Sequence, residues 1–291
     1  GLLDDDFSVF FLGDFSCKRT ELFSTFSSIC NLSVVKEKTK NVQVTKARLI
    51  GVTNSFVLAF KSVFTDVELV GENIQKEKIS AWKMVLLDLK YISEIFVIIF
   101  INRIFNFKSV LRDNIMNRAF FSSFPLMYTK DNVEIKYQDF VKDNDAEIVC
   151  IVTDGFHQHV TISEYIHARF KLKNNNKFSV IDDCLRMSDV FHSLQWLYKL
   201  TSFRRKVNNK KHYFNNIDIS LFVKSEWIFS FSRITRLMLL KGTFTRYFKN
   251  FHLDEVIYYL HEFPYGLLLT SVIGECCPNV RRIGFQHGPA S

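Results

Sequence analysis

Apolar and polar positions along the chain change their period several times, and each change predicts an element. Residues 6–12, rich in Phe and Val and closed by Gly13 and Asp14, predict an opening strand. The β-branched stretch 42–57 around Gly51 predicts one or two more strands. From about Lys78 to Phe121 the period is helical: Ser80 stands as a cap before Trp82, Val85, Leu86 and Leu89, and Arg103, Lys108, Arg112 and Arg118 gather toward the end. Inside it, residues 95–101 are uninterrupted apolar, but a bilayer crossing needs about 20 such residues and Asp88, Lys90 and Glu94 stand just before them. The segment therefore reads as a buried or membrane-surface helix.

Residues 147–153 form a continuous apolar run ending at Asp154 and Gly155, the profile of a strand covered on both faces of a parallel sheet. A helix over about 163–170, a strand over 177–181 and a helix over 187–200 continue a β-α-β cadence. Residues 204–216 predict a polar, basic connection, and Ser225 a helix cap with Trp227, Phe231, Ile234 and Met238 on one face and Gly242 as the stop. The end of the chain predicts a strand over 255–260, a helix over 264–276 opened by Pro264, and a strand over 281–285. The order predicts an α/β chain: residues 1–291 as one Rossmann-like domain, a parallel sheet with flanking helices, carrying a helical insertion over 72–126.

Composition narrows the class. With 47% hydrophobic and 23% charged residues, wholesale disorder is excluded. The 31 Phe beside 10 Gly and 4 Pro exclude collagen-like and low-complexity chains. Net charge is +8, and residues 201–250 alone hold eleven Lys or Arg against Asp218 and Glu226. Such a segment suits phosphates or forms a solvated helix face. Six cysteines without a C-x-x-C pair point to a reduced compartment, and Cys150, inside the apolar run, reads as a small hydrophobe. The chain opens with Gly1 and lacks a basic-then-apolar leader, as expected of a processed product or an excerpt of a longer protein.

Parallel β-α-β units deliver functional side chains at the carboxyl ends of strands, and both Glu262 and His287 follow strand ends. A right-handed crossover sets those ends side by side, so that a carboxylate and an imidazole can orient one another, hold a hydroxyl or transfer a proton. The alternative is structural: Glu262 complements a helix dipole and His287 caps a turn. Gly288 permits close approach of the main chain to a ligand. Arg281 and Arg282 lie at the opposite end of the last strand and are assigned to the surface. His157 and His159, two apart beside Asp154, would suit a metal, but no third or fourth ligand follows in order, and the segment reads better as a loop lining the same cleft. Neither G-x-x-x-x-G-K-[ST] nor G-x-G-x-x-G occurs, which disfavours P-loop hydrolysis, and no nucleic-acid module is recognisable.

The terminal stretch, with Tyr258, Glu262, Pro264, Tyr265, Gly266, Ile273, Pro278 and then Ile283-Gly-Phe-Gln-His-Gly288, resembles bacterial surface-carbohydrate glycosyltransferases of the GT-B type, including capsule and lipopolysaccharide transferases. Glu262 matches the family's acidic position, Tyr265 a position that is often Trp, and Gln286-His287 the terminal signature. The resemblance covers about 35 residues. It implies the acceptor-side, N-terminal half of a GT-B fold, with a nucleotide-sugar-binding half expected beyond Ser291 and little transfer by this half alone. It implies catalytic roles for Glu262 and His287 and substrate contacts for Tyr265 and Gln286; Asp154, His157 and Gly288, from their places after strand ends, are expected to line the same substrate. The expected partners are a nucleotide-sugar donor, a glycan or lipid-linked acceptor and an anionic membrane surface, with no nucleic acid, no resident cofactor and no metal. The expected location is cytoplasmic, peripheral at the inner membrane. Two rival expectations are a metal-dependent hydrolase built on Asp154, His157 and His159, and a non-catalytic membrane-peripheral scaffold.

Overall fold

The structure, a computed structural model, describes residues 3–4, 7–8, 24–70, 73–75, 81–107, 116–122, 137, 146–153, 160–173, 178–250, 253–259 and 264–285. The chain divides into two units, Gly1–Asp88 with Gln195–Thr235, and Leu89–Leu194 with Arg236–Ser291. In chain order the elements are β1 (Leu3–Asp4), β2 (Phe7–Ser8), α1 (Ser24–Lys38), β3 (Lys46–Ala47), β4 (Ile50–Thr53), α2 (Asn54–Val63), β5 (Glu68–Leu69) and β6 (Asn73–Gln75). Next come α3 (Ala81–Ile104), β7 (Met116–Ser122), β8 (Ala146–Cys150), α4 (Ile162–Lys173), β9 (Phe178–Val180) and a 3₁₀ turn, Ile181–Cys184. The chain closes with α5 (Met187–Asn208), β10 (Tyr213–Phe214), β11 (Ile217–Asp218), α6 (Ser220–Lys249), β12 (Leu253–Tyr259), α7 (Pro264–Cys276) and β13 (Arg281–Phe285).

The first unit is built from short pairs. β3 lies parallel to β5 and β4 to β6, while β10 and β11 form an antiparallel hairpin. Thr53 caps α2, its hydroxyl accepting from Phe56 N at 3.3 Å. Phe60 of α2 packs with Leu32, Ile217 and Phe222 as the unit's core. The hairpin turns through Asn215 and Asn216, both at positive φ (49° and 59°), the backbone that two-residue hairpin loops require and Asn tolerates.

The second unit holds a five-stranded, all-parallel sheet in the order β13-β12-β7-β8-β9. Its middle strands are buried without alternation: Ala119, Phe120, Phe121 and Ser122 on β7, and Ile148, Val149 and Cys150 on β8. That is the pattern of strands covered on both faces. Phe120 meets the Tyr137 ring edge-on at 5.0 Å, and Phe121 meets Phe244 of α6 at 6.1 Å, so neighbouring side chains serve opposite layers. The Tyr137 hydroxyl donates to the Phe121 carbonyl at 2.7 Å. The result is a mixed α/β architecture with helices flanking a parallel sheet, compatible with a Rossmann-like fold.

Three sequence expectations change here. The helical pattern carried to Phe121 ends instead at Ile104, and β7 occupies the middle of the sheet; residues 72–126 thus supply a core strand as well as a helix. A short strand buried on both faces shows neither period, and Arg118, read as a basic helix end, pairs with Glu255 of β12 at 2.6 Å. Gly242 does not stop α6, which runs 30 residues from Ser220, leaving Ser225 inside it. A Cβ at Gly242 would strike the Asp189 carboxylate, so this glycine serves close packing. The basic connection expected over 204–216 is helical to Asn208 before the hairpin. Among the described residues, no helix is long and apolar enough to cross a membrane.

Candidate functional site

All strands of a parallel sheet end on one edge, and here the ends are aligned by register: Ser122 opposite Cys150, Cys150 opposite Val180, and Tyr259 opposite Phe285. Numbered from β7, the strand order reads 3-2-1-4-5, so connections diverge between β7 and β12. Such a switch point opens a crevice outside the carboxyl ends, where α/β sheets bind ligands. In the sequence, Asp154 and His157 follow β8, Glu262 follows β12, and Gln286, His287 and Gly288 follow β13. These six, with His159, lie outside the described residues. Tyr265 is the second residue of α7, which opens at Pro264. β12 and β13, which lead to Glu262 and to Gln286-His287-Gly288, are therefore neighbours, whereas β8, which leads to Asp154 and His157, is separated from β12 by β7.

The described part of this edge is organised by Asp182, which sequence reading passed over. Its carboxylate, in the 3₁₀ turn directly after β9, accepts from Val152 N at 2.7 Å and Thr153 N at 2.9 Å. It thereby ties the end of β9 to the chain leaving β8, immediately before Asp154. Burial pushes the Asp182 carboxyl above its ordinary range, opposed by these hydrogen bonds and by Arg169. Arg169, buried on α4, donates to Asp183 and to the Phe107 carbonyl, and its guanidinium lies 5.3 Å from the centre of the Phe107 ring. Beside it, the Tyr165 hydroxyl donates to Asn102 Oδ1 at 2.6 Å. This network joins the end of α3, α4 and the 3₁₀ turn after β9. The detectable signal was the Asp182-Asp183 doublet at a strand's carboxyl end. The other missed feature is the end of β7, one wall of the switch point.

Cys150 is fully buried, and burial, followed by the nearby Asp182, raises its thiol well above the ordinary range, which suits packing and not nucleophilic attack. Burial also pushes the Cys184 thiol up to about 11. The described cysteines Cys30, Cys150, Cys184, Cys276 and Cys277 are all free thiols. At the amino edge of the sheet, Arg118 and Arg281 flank Glu255, Arg281 at 3.4 Å, in keeping with a surface role for Arg281. The basic stretch 201–250 is not one patch. Arg246 is bound to the Cys184 carbonyl and to Asp189, Lys241 is buried, and Arg236 lies over the Tyr91 ring at 4.7 Å. Lys210, Lys211 and Lys224 belong to the first unit. Among the described residues no cluster of three His, Cys, Asp or Glu side chains could hold a metal. No family model, curated protein or solved structure matches this chain.

Proposed function

We propose that the carboxyl edge of the five-stranded sheet is the acceptor side of a GT-B type glycosyltransferase, moving a sugar from a nucleotide-activated donor to a surface polysaccharide or lipid-linked glycan. The observation that carries this reading is the pairing of β12 with β13, which ends with Tyr259 opposite Phe285 beside the switch point. Glu262 stands three residues beyond Tyr259, and Gln286-His287-Gly288 continue directly from Phe285. In this reading Glu262 or His287 deprotonates or orients the acceptor hydroxyl, and Tyr265, Gln286, Gly288, Asp154 and His157 line the substrate. Cationic or amide groups stabilise the leaving phosphate. A second α/β half holds the donor, and the work is done in the cytoplasm at the inner membrane, where lipid-linked acceptors reside.

The test is transfer of labelled sugar from a panel of nucleotide sugars to glycolipid acceptors by the full product of the gene. Glu262→Gln and His287→Ala are each expected to lower kcat by roughly 10²- to 10⁴-fold, the usual range for a lost acid–base group, with melting unchanged. Chelation is expected to leave the rate unaltered. Full activity in both variants refutes the assignment; turnover abolished by chelation, with stoichiometric metal bound, moves the chemistry to Asp154, His157 and His159.

A further inference from the structure

The first unit contains a cleft of its own, of about 390 Å³, lined by α2 (Leu58, Ala59, Ser62), the end of α5 with residues 209–211, Asp218 of the hairpin, and the start of α6 (Ser220, Leu221, Lys224). Its walls are fixed by local hydrogen bonds. Asp218 Oδ1 accepts from Ser220 N at 2.9 Å, Ser220 Oγ accepts from His212 N at 2.9 Å, and the His212 carbonyl accepts from Ile219 N at 2.9 Å. The His212 ring lies 3.2 Å from the Val207 carbonyl through Nε2, closing the end of α5 onto the hairpin.

Charge in this cleft is one-sided. Lys210, Lys211 and Lys224 stand against the single carboxylate Asp218. Hydrogen bonding to Ser220 first, with Lys211 and Lys224 contributing, holds that carboxyl below its ordinary range, so it is ionised and two of the ammonium groups are within its field. Among the described residues none of the three lysines forms an ion pair. Two positive charges are left over after Asp218 is counted. The amides of Asn208 and Asn209 add hydrogen-bond donors, and Leu58 and Leu221 give one apolar wall. The volume lies within the roughly 300–1,000 Å³ usual for small-ligand sites.

We propose that this cleft binds the phosphate group of an amphipathic ligand, with Lys211 and Lys224 as the principal counter-charges and Leu58 and Leu221 against its apolar part. A dianionic phosphate matches the surplus charge better than a single carboxylate does. The same group is presented by a free phosphate ester and by a lipid headgroup. The site belongs to the first unit and stands whether or not the transferase reading does.

The experiment is calorimetric titration of the full chain with inorganic pyrophosphate, alongside sedimentation with vesicles containing phosphatidylglycerol. The variants are Lys211→Ala/Lys224→Ala and, as a charge-matched control, Lys90→Ala/Lys171→Ala. Melting curves verify that each folds. Saturable pyrophosphate binding weakened about tenfold or more in the cleft variant but not in the control supports a soluble phosphate ligand. Vesicle binding lost only in the cleft variant, without pyrophosphate binding, supports the same site with a lipid as its source. If neither probe distinguishes the cleft variant from the control, the proposal is overturned.

Discussion

Replacing Asp182 by Asn keeps the shape of the side chain and reverses the polarity of one of its two arms. The carboxylate accepts from two backbone N–H groups, Val152 at 2.7 Å and Thr153 at 2.9 Å, inside a site that water does not reach. An amide can accept from only one of them, and its NH₂ then faces the other N–H. One buried donor is left unsatisfied, a loss of about 1–3 kcal/mol. Asp182→Ala orphans both and is expected to cost roughly twice that. For a domain of this size, 2 kcal/mol lowers the melting temperature by about 4–8 °C. Urea unfolding is the assay, with the midpoint moving and the slope constant.

The pH dependence carries a definite sign. Burial raises the Asp182 carboxyl above its ordinary 3.8. Between that value and the raised one, the folded state holds the proton more often than the unfolded chain does, so stability from this group grows as pH falls. The advantage of wild type over Asp182→Asn is thus expected to widen on acidification from neutral and to level off below 3.8. An Asn variant within about 0.5 kcal/mol of wild type, the range of an inconsequential surface change, refutes the tie between β9 and the β8 end.

Other consequences follow from single atoms. Gly242→Ala removes a poor helix former, worth up to about 1 kcal/mol, yet is expected to destabilise by about 1–3 kcal/mol. Its new Cβ meets the Asp189 carboxylate, which Arg186 N, Thr243 and Arg246 hold in place; thermal unfolding reads the difference. Asn216→Val forces a β-branched residue to φ 59° and is expected to lose about 1–2 kcal/mol, whereas Asn216→Gly stays near wild type in the same assay. Tyr137→Phe deletes the hydrogen bond to the Phe121 carbonyl and is expected to lower stability by about 0.5–1.5 kcal/mol in urea.

Where sequence and structure agree, the signal was local. The unit from β12 through α7 to β13 was readable because Pro264 opens the helix, and apolar runs with β-branched and aromatic residues mark both strands. β8 and β9 were readable for the same reason. β7 was not, because Ala119, Phe120, Phe121 and Ser122 are buried on both faces and follow an apolar helix, so nothing in the period marked the change. That omission hid the switch point, which exists only once β7 stands between β12 and β8. Asp182 was marked only as half of an acidic doublet after a strand; its role was not legible, because its partners are main-chain amides 30 and 29 residues away, which leave no mark in side-chain pattern. Gly242 looked like a helix stop because the sequence does not reveal that Asp189 packs against it.

The central claim, that Glu262 and His287 share one rim, is most directly tested by the imidazole carbon–proton resonance of His287 in the intact protein, assigned by its disappearance in His287→Ala. Glu262→Gln is expected to shift this resonance distinctly, while Glu37→Gln on α1 leaves it in place. A His287 signal indifferent to Glu262→Gln contradicts the claim.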